Sequence, residues 1–559
     1  MRGVKTMTLS DGDLRRHCER RMGALDRERQ SWFQHWRELS DHILPRRGQF
    51  LSFAGQGDRG RKLNGKMLDS TGTLAARTLA SGLMSGVTSP ARPWFRLTVG
   101  DPALAQAPGV RVWLDRVQEA MLRVFARSNL YNALATVYEE LGVFGSAALL
   151  ILEDDEEIVR AWPLTVGEYW LASSDRQVVN TLYREFPLTV FQLVERFGRD
   201  AVSPLVREQY DAGTWDREVM VVHAIEPNEG RDLERADNRN MAFRSVYYEK
   251  TGADECLLAV SGFESFPAMC PRWHLVGNDV WGRSPGMDAL PDVKGLQVLQ
   301  KRFGQALEKM VNPPMVAPPS LRNDTASSLS GAVTYVADPT GVGFRPAYQI
   351  NPPLNHLASA IADRQRSIQA AFYADLFLMM SQLDDVRSAT EIVERREEKM
   401  VMLGPVLERL HDELLDPLIK RVFGLMERAG QVPELPPAMA GTGVGIEYVS
   451  SLAQAQRSVA TGGIERFVNF AGRAAAMKPD VLDKLDIDQT VDAYGDLLGV
   501  PARLIVSTDK ATAARQQRAQ VQQQQMALQA GQAMAAGAEK LGRVDVGGGK
   551  NALQALVGR

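Results

Sequence analysis

The most regular pattern of apolar and polar positions lies near the N-terminal end of the chain. Apolar side chains recur there at helical spacing, with arginines and glutamates between them: Leu14, Cys18, Met22, Leu25, Trp32, Trp36, Leu39 and Ile43. This spacing predicts one amphipathic helix from Ser10 to Leu44. Ser10 or Asp11 can cap its start, and Pro45 ends it because proline cannot continue the hydrogen-bond ladder.

Shorter apolar patterns continue as far as residue 283. Helices are predicted at residues 68–86, 108–145 and 188–197. Short apolar runs bounded by turn residues predict strands at 147–153, 158–171, 178–186, 218–226 and 243–249. The first 283 residues are therefore predicted to combine helices with a small β-sheet.

The pattern changes at residue 284, where a long helix is predicted. Ser284 and Pro285 supply a capping hydroxyl and a first-turn proline, and Asn312 with the two prolines after it ends the helix. One apolar stripe follows this helix: Leu296, Leu299, Phe303, Leu307 and Met310. A second helix is predicted at residues 353–378, and its stripe includes Leu357, Ile361 and Ile368.

A β-containing module is predicted between these two helices, at residues 313–352. It has no helical pattern, and the turn sequence Asp338-Pro339-Thr340-Gly341 joins two predicted strands. The strands carry Val333, Tyr335, Phe344 and Arg345. Double prolines bound the module on both sides, so the sequence predicts a unit that projects from a pair of helices.

The C-terminal part is predicted to be mainly helical. A capping box that begins at Ser388 starts a long helix, which reaches about Arg428 and is kinked by Pro405 and Pro417. A Pro/Gly-rich linker at 430–445 and helices within 450–500 follow. From Thr508 to about Leu541 the chain is rich in Ala and Gln, which predicts either a helix that packs only in an oligomer or a partly disordered tail.

Composition narrows the class of protein. The chain has 559 residues, 45% of them hydrophobic and 24% charged, which predicts a folded protein of several substructures. Its net charge of -3 argues against a strong DNA-binding protein, but not against a channel through which DNA slides. Cys18, Cys256 and Cys270 lack metal-ligand spacing and favour a reducing compartment. No apolar run is long enough to span a membrane and no signal peptide is evident, so no membrane partner is expected.

Motifs for catalysis or cofactor binding are weak throughout. Residues 60–67 almost match a phosphate-binding loop, but Met67 replaces the hydroxyl that would bind Mg²⁺, and a solvated basic loop is expected. Residues 153–157 predict an acidic hairpin tip, and residues 411–413 a solvated helix face. The sequence therefore predicts no catalytic residue, no metal and no cofactor.

Several blocks of the chain resemble the head–tail connector (portal) proteins of short-tailed phages. The most specific block includes Leu68-Asp69-Ser70-Thr71, Leu79-Ala80-Ser81-Gly82-Leu83-Met84-Ser85-Gly86 and Ser89-Pro90-Ala91-Arg92-Pro93-Trp94-Phe95. Further blocks follow in the same order: Arg160-Ala161-Trp162-Pro163-Leu164, Gly167-Glu168-Tyr169, Leu182-Tyr183-Arg184-Glu185-Phe186, Gly282-Arg283-Ser284-Pro285-Gly286, Asn312-Pro313-Pro314 and Ser388-Ala389-Thr390-Glu391. Each block is modest alone, but their order and spacing together are specific and cover most of residues 10–430.

The resemblance implies an α+β fold that is mainly α-helical, with small β modules, in the portal arrangement of wing, two-helix stem, β-containing clip and helical C-terminal crown. It implies a wing at 1–283, stem helices at 284–312 and 353–378, a clip at 313–352, a tunnel loop at 379–388, a long kinked wing helix at 389–430, a crown at 431–505 and a helical barrel or flexible tail at 506–559. The physical pattern of helix, β module and helix has the same order as stem and clip.

The resemblance also implies a function. Proteins of this kind form a ring, a dodecamer by family, at one capsid vertex of the virion, through which double-stranded DNA is packaged and ejected. The implied partners are the terminase large subunit, head–tail adaptor and tail proteins, the major capsid protein and the scaffolding protein, with assembly in the host cytoplasm.

The polar break before the capping box is then the expected channel constriction, with Gln382, Asp384, Asp385 and Arg387. Two rival functions stay open. One is a helical scaffold or adaptor protein without a channel, and the other is a nucleotide hydrolase that uses residues 60–66.

Overall fold

The computed structural model contains two compact units, Met1–Ala453 and Gln454–Arg559. In the first unit the structure describes residues 10–45, 47, 63–101, 104–105, 107–232, 234–235, 237–252, 256–316, 345–346, 353–381 and 402–449. In the second unit it describes residues 464, 467–476, 478, 484–498, 506 and 508–542. All the strands of the described residues belong to the first unit.

Helices of the first unit fall close to the positions that the apolar patterns predict, except that the single helix predicted at 108–145 is two helices, interrupted at Ser128 and Asn129. They are α1 (Asp11–His42), α2 (Thr71–Val87), α3 (Pro108–Arg127), α4 (Leu130–Phe144), α5 (Val190–Phe197), α6 (Pro204–Asp211), α7 (Pro285–Val311), α8 (Leu354–Ala371), α9 (Ala374–Ser381) and α10 (Asp416–Arg428). The hydroxyl of Ser10 caps α1 by accepting the Asp13 N–H at 3.2 Å, as predicted. Helix α6 has no counterpart in the sequence analysis, although Ser203 and Pro204 form a standard helix start.

The strands form small antiparallel sheets, which confirms the predicted α+β class. They are β1 (Phe95–Val99), β2 (Ala148–Asp154), β3 (Ile158–Leu164), β4 (Tyr169–Ser173), β5 (Val179–Thr189), β6 (Glu218–Pro227), β7 (Phe243–Glu249), β8 (Ala259–Phe263), β9 (Ala268–Met269), β10 (Met315–Val316), β11 (Arg345–Pro346) and β12 (Val444–Tyr448). The largest sheet has the order β4-β5-β6-β7-β8, and the others are β3-β2-β9, β1-β12 and β10-β11.

The five-stranded sheet carries a hydrophobic cluster on each face. On one face, residues of α1 such as Leu14 and Cys18 pack with Val222 of β6. On the other face, Leu193 of α5 packs with Val221, the neighbouring residue of the same strand. Successive side chains of a strand point to opposite faces, so β6 is covered on both sides. The wing predicted at 1–283 therefore contains a sheet held between helices.

Strand β12 corrects one prediction. The sequence analysis assigned residues 430–445 to a linker, but Val444 and Gly445 begin a strand that pairs with β1. Tyr448 lies opposite Phe95 in this register, about 350 residues earlier in the chain. A Pro/Gly-rich segment has no local signal for such a strand, because its hydrogen-bonding partner is distant in sequence.

The second helix of the predicted pair is also interrupted. The prediction of one helix over 353–378 is wrong in this respect, because α8 ends at Ala371 and α9 begins at Ala374. Tyr373, between them, has φ of +54°. The left-handed region is unfavourable for a residue with a side chain, so tertiary contacts must hold this turn.

The long helix that ends at Arg428 contains a π-helical turn. Residues 402–410 are α-helical, His411–Leu415 form the π turn, and α10 follows. Pro417 lacks the N–H that an α-helix would direct at the carbonyl of Glu413, so the ladder is rearranged just before it. The capping box predicted at 388–391 lies outside the described residues.

In the second unit, residues 467–476 are helical, and α11 (Ile487–Leu498) and α12 (Thr508–Gly542) follow. Helix α12 corresponds to the Ala/Gln-rich segment. Four of its larger apolar side chains are exposed: Val521 50%, Met526 65%, Leu528 65% and Met534 76%. No helix of the described residues is long and apolar enough to cross a membrane.

Candidate functional site

Helix α7 begins at a backbone contact that only glycine allows. Gly145 ends α4 with φ of +82°, and a β-carbon on it would overlap the carbonyl group of Gly282. Next to this contact, the Ser284 hydroxyl donates to the Val143 carbonyl at 2.6 Å and accepts the Met287 N–H at 3.0 Å. The predicted cap of α7 is confirmed, and it anchors the start of this helix to the end of α4.

Helices α7 and α8 form an antiparallel pair. Asp292, near the start of α7, forms an ion pair with Arg364 and accepts a hydrogen bond from the Ser367 hydroxyl at 2.6 Å, both near the end of α8. Of the predicted stem residues, Leu296, Ile361 and Ile368 are buried, Leu299, Phe303 and Leu357 are half-buried, and Leu307 is exposed. The pair is therefore packed where it joins the rest of the unit.

The apolar stripe of α7 becomes uncovered along the helix. Leu296 is 0% exposed, Leu307 is 39% exposed and Val311 is 85% exposed. Just beyond α7, β10 pairs with β11, which comes shortly before α8. This pairing brings the far ends of the two helices together. The result is a helical hairpin whose far end exposes apolar side chains within a single chain.

Asp69 connects this helical hairpin to α2. One carboxylate oxygen, Oδ1, accepts the Thr71 N–H at 2.8 Å. The other, Oδ2, accepts from Nε2 of Gln300 at 3.0 Å and from Nε2 of Gln365 at 2.9 Å. Burial raises the pKa of the Asp69 carboxyl, but the hydrogen bonds it accepts outweigh burial and hold the pKa below its usual value.

Gln297 adds backbone contacts around the same residue. Its side-chain oxygen accepts the N–H groups of Leu68 at 2.7 Å and of Asp69 at 2.9 Å, and its Nε2 donates to the Asp69 carbonyl at 2.9 Å. The sequence analysis quoted Asp69 only as part of the family resemblance and did not single out any of the three glutamines. Nothing in the local pattern marks them, because their partners, Leu68 and Asp69, are distant in sequence.

Helix α9 docks on α2 after the break at Tyr373. Phe372 and Leu376 are 0% exposed, and the ring of Tyr373 lies 6.2 Å from that of Trp273. The ring of Phe377 lies against Gly82 of α2. Helix α9 is thus fixed to α2 of the predicted wing. It also corrects the start of the predicted tunnel loop, because residues 379–381 are the last residues of α9.

The predicted channel and clip residues are mostly beyond what the structure describes. Gln382, Asp384, Asp385 and Arg387 lie outside the described residues, as do Val333, Tyr335 and Phe344. Arg345 is described as part of β11, opposite Val316.

The π turn places polar side chains against two distant segments. Glu413 accepts hydrogen bonds from the Arg272 backbone N–H at 2.9 Å and from its Nη2 at 2.6 Å. The ring of His411 stacks on that of Tyr448 at 3.9 Å, and the Tyr448 hydroxyl donates to Asp416. The predicted solvated face at 411–413 is therefore wrong for His411 and Glu413, because both are engaged in tertiary contacts.

Two carboxyl groups bind the turn that follows β3: Glu140 accepts the Val166 N–H at 3.4 Å and Glu168 accepts the Thr165 N–H at 3.3 Å. Glu140 of α4 is 0% exposed, and burial raises its pKa to about 7 although Arg47 lies nearby. The Nε atom of Arg47 is 3.3 Å from Oε1 of Glu140. Burial likewise raises the pKa of Glu168 to about 7. Both groups titrate near neutral pH because the interior disfavours their charged form.

The other motifs of the sequence have structural explanations. Residues 153–157 form the end of β2 and the turn before β3, where Asp154 accepts the N–H groups of Glu156 at 3.0 Å and Glu157 at 2.9 Å. Lys66, from the segment that resembles a phosphate-binding loop, pairs with Asp41 at 2.6 Å. No cluster of potential metal ligands occurs among the described residues.

The described residues thus define an α+β body with a helical hairpin whose far end exposes apolar side chains. The family model for bacteriophage head to tail connecting protein matches residues 15–506. The chain belongs to that family, so it is a phage head–tail connector. This confirms the resemblance and favours the connector over the scaffold and hydrolase functions.

Curated relatives match almost the full length of the chain. The probable portal protein of Bordetella phage BPP-1 is 48% identical over 532 residues, covering 94% of this chain and 95% of the relative. The portal protein of Salmonella phage epsilon15 is 44% identical over 525 residues, covering 93% and 94%. Among solved structures, a chain of the virion of a native gene transfer agent particle has 11% identity and a TM-score of 0.35, covering 77% of this chain and 90% of that chain.

Proposed function

We propose that the chain is the portal subunit of a phage, and that twelve copies form a ring at one capsid vertex. The observation that carries this proposal is the uncovered stripe of α7, where Leu307, Met310 and Val311 are 39%, 41% and 85% exposed. Apolar side chains in this arrangement call for a protein partner. A neighbouring copy that contributes the same hairpin covers them in turn, and such a head-to-tail contact closes into a ring.

The hairpin supports a division of the chain by segment. In this proposal α7 and α8 are the stem, and the residues between them, 313–352, are the clip that docks the terminase large subunit and later the tail adaptor. The β10–β11 pair supports this order, because it holds the two ends of the clip together at the tip of the stem. The major capsid and scaffolding proteins then surround the wing during assembly in the host cytoplasm.

In this proposal double-stranded DNA passes through the ring in both directions without binding tightly to it. The net charge of -3 supports this, since tight binding requires many phosphate contacts from basic side chains. Gln382, Asp384, Asp385 and Arg387 are proposed to line the constriction. In a filter-binding assay at physiological salt, duplex DNA should bind purified rings only weakly. Nanomolar affinity with a steep salt dependence would contradict a channel through which DNA slides freely.

The central experiment is imaging of the purified full-length chain by negative-stain electron microscopy. The proposal expects closed rings with a central hole. Filaments, small open oligomers or a monomer at micromolar concentration under all salt conditions would overturn it, and filaments or small oligomers would favour the scaffold function instead. An ATPase assay on the same sample tests the hydrolase function, for which no activity is expected.

Docking by the clip is tested separately. A chain that lacks residues 320–345 should keep its wing folded and still assemble, but should not bind the terminase large subunit. Normal DNA packaging by this deletion would remove the assignment of the clip without affecting that of the ring.

A further inference from the structure

The joint between the helical hairpin and the wing is polar, although both elements have apolar faces. Oδ2 of Asp69 accepts hydrogen bonds from Gln300 of α7 at 3.0 Å and Gln365 of α8 at 2.9 Å. A single oxygen atom therefore holds both helices of the hairpin. The other carboxylate oxygen, Oδ1, accepts the N–H of Thr71, the first residue of α2, at 2.8 Å, and this fixes the orientation of the carboxylate.

Neighbouring contacts restrict the joint further. Gln297, one turn before Gln300, is bonded to backbone groups of Leu68 and Asp69 at 2.7–2.9 Å. A β-carbon on Gly72 would meet Cγ2 of Val293 at 3.2 Å, so α7 and α2 approach closely on the adjacent turn. Hydrogen bonds are directional whereas apolar contacts are not. This cluster therefore restrains the angle between α2 and the hairpin as well as the distance between them.

We infer that Asp69 is a positioning residue for assembly: with Gln297, Gln300 and Gln365 it sets the direction in which the helical hairpin leaves α2, and so sets the number of subunits in the ring. This inference rests on the proposed function. The number of subunits follows from the angle between equivalent surfaces on one subunit. Twelve subunits require a turn of about 30° each and thirteen require about 28°, so a change of about 2° at the joint is enough to alter the ring.

The test compares two independent variants with the full-length protein. Asp69→Asn keeps the shape of the side chain and an oxygen for the Thr71 N–H, but replaces the oxygen that binds both glutamines by an amide nitrogen. The double variant Gln300→Leu/Gln365→Leu leaves Asp69 intact and removes the donors on the hairpin. Asp363→Asn is the matched control, because Asp363 is 62% exposed on α8 and pairs only with Arg366 of its own helix among its described contacts.

Native mass spectrometry of the assembled rings gives the readout. Both test variants should form rings in which the subunit number is shifted by at least one, or spread over several values, while Asp363→Asn keeps the wild-type number. A structural role without positioning would lower the thermal midpoint and leave the subunit number unchanged.

The outcomes separate this inference from the proposed function. If the wild-type chain forms rings and every folded test variant keeps its subunit number, the inference is overturned and the portal function stands. If Asp69→Asn does not fold, the glutamine variant alone decides in the same way. A wild-type chain that forms no rings at all overturns the portal function and this inference with it.

Discussion

The ring of Phe377 on α9 lies directly against the backbone of Gly82 on α2. A β-carbon at residue 82 would overlap Cγ and Cδ1 of that ring. Phe377 is 7% exposed, and the adjacent Leu376 is fully buried. The absence of a side chain at residue 82 therefore allows α9 to dock, and α9 leads into the segment proposed as the tunnel loop.

Gly82→Ala should weaken this docking. The added methyl group forces the ring of Phe377 to move, at a cost of about 1–3 kcal/mol. We expect a lower thermal midpoint by calorimetry and faster hydrogen exchange in residues 374–381. Gly23→Ala is the control, because no atom lies within 4 Å of a β-carbon at residue 23 of α1; it should stabilise the helix by about 0.5–1 kcal/mol. Unchanged exchange in α9 of the Gly82 variant would contradict the prediction.

Glu140→Gln should change the pH dependence of stability. The pKa of Glu140 is raised from 4.5 to about 7 in the folded chain, so between these values the folded state holds a proton that the unfolded state has lost. Stability from this group is therefore greatest in acid and falls as pH rises through that window. The variant should be more stable than the wild type above about pH 7, by on the order of 3 kcal/mol, with little difference near about pH 4.5.

Thermal midpoints measured across that range of pH check this expectation. Glu168 has a similarly raised pKa, so the dependence of stability on pH in Glu140→Gln should have about half the wild-type slope and should not vanish. Glu139→Gln is the control, because Glu139 also pairs with Arg47, at 3.2 Å, but is partly exposed and should keep the wild-type slope. If Glu140→Gln kept the wild-type slope of stability against pH, Glu140 would not be the source of this pH dependence.

Glu413→Ala should be strongly destabilising. It leaves the guanidinium of Arg272, which is 3% exposed, without its carboxylate partner, and such a loss costs about 3–5 kcal/mol. Replacing both partners by apolar residues, in Arg272→Met/Glu413→Leu, should restore part of this loss because no buried charge remains. Thermal midpoints of the wild type, Arg272→Met, Glu413→Leu and the double variant complete the cycle. A double variant as unstable as the sum of the single changes would show that the pair is not coupled.

Leu307→Asp should prevent assembly without unfolding the chain. The residue is 39% exposed in one chain, so the isolated subunit tolerates a carboxylate there at a cost of about 0.5 kcal/mol. In a ring the same position faces a neighbouring stem, where an unpaired charge is costly. Mass photometry should detect subunits instead of rings, while Val178→Asp, at a 61% exposed position between β4 and β5, should assemble normally. Normal rings from Leu307→Asp would exclude this part of the stripe from the interface.

Elements with local signals were predictable from the sequence. The caps at Ser10 and Ser284 and the end of α7 before Pro313 depend on residues within one helical turn. The short apolar runs bounded by turn residues, which predicted β2 to β7, are equally local. For these elements the chemistry of the nearest neighbours along the chain determines the structure.

The contacts of the candidate site were not predictable in the same way. The Asp69 cluster joins residues separated by more than two hundred positions, and amides and carboxylates of this kind are usually solvated. Tyr373 has a left-handed backbone conformation, and its ring packs near that of Trp273. The sequence does not indicate this conformation, because the residue is neither glycine nor asparagine. Such features follow from the tertiary structure, which a pattern of hydrophobic positions describes only in outline.

The ladder between β1 and β12 has a consequence for the order of synthesis. Residues 95–99 emerge from the ribosome long before residues 444–448, their only strand partner among the described residues. Until residues 444–448 are synthesised, β1 has no strand partner in the part of the chain that the structure describes, and its backbone hydrogen-bonding groups are unpaired in this sheet. A subunit that ends before residue 444 therefore lacks this strand pair, so pairing of β1 requires synthesis of most of the chain.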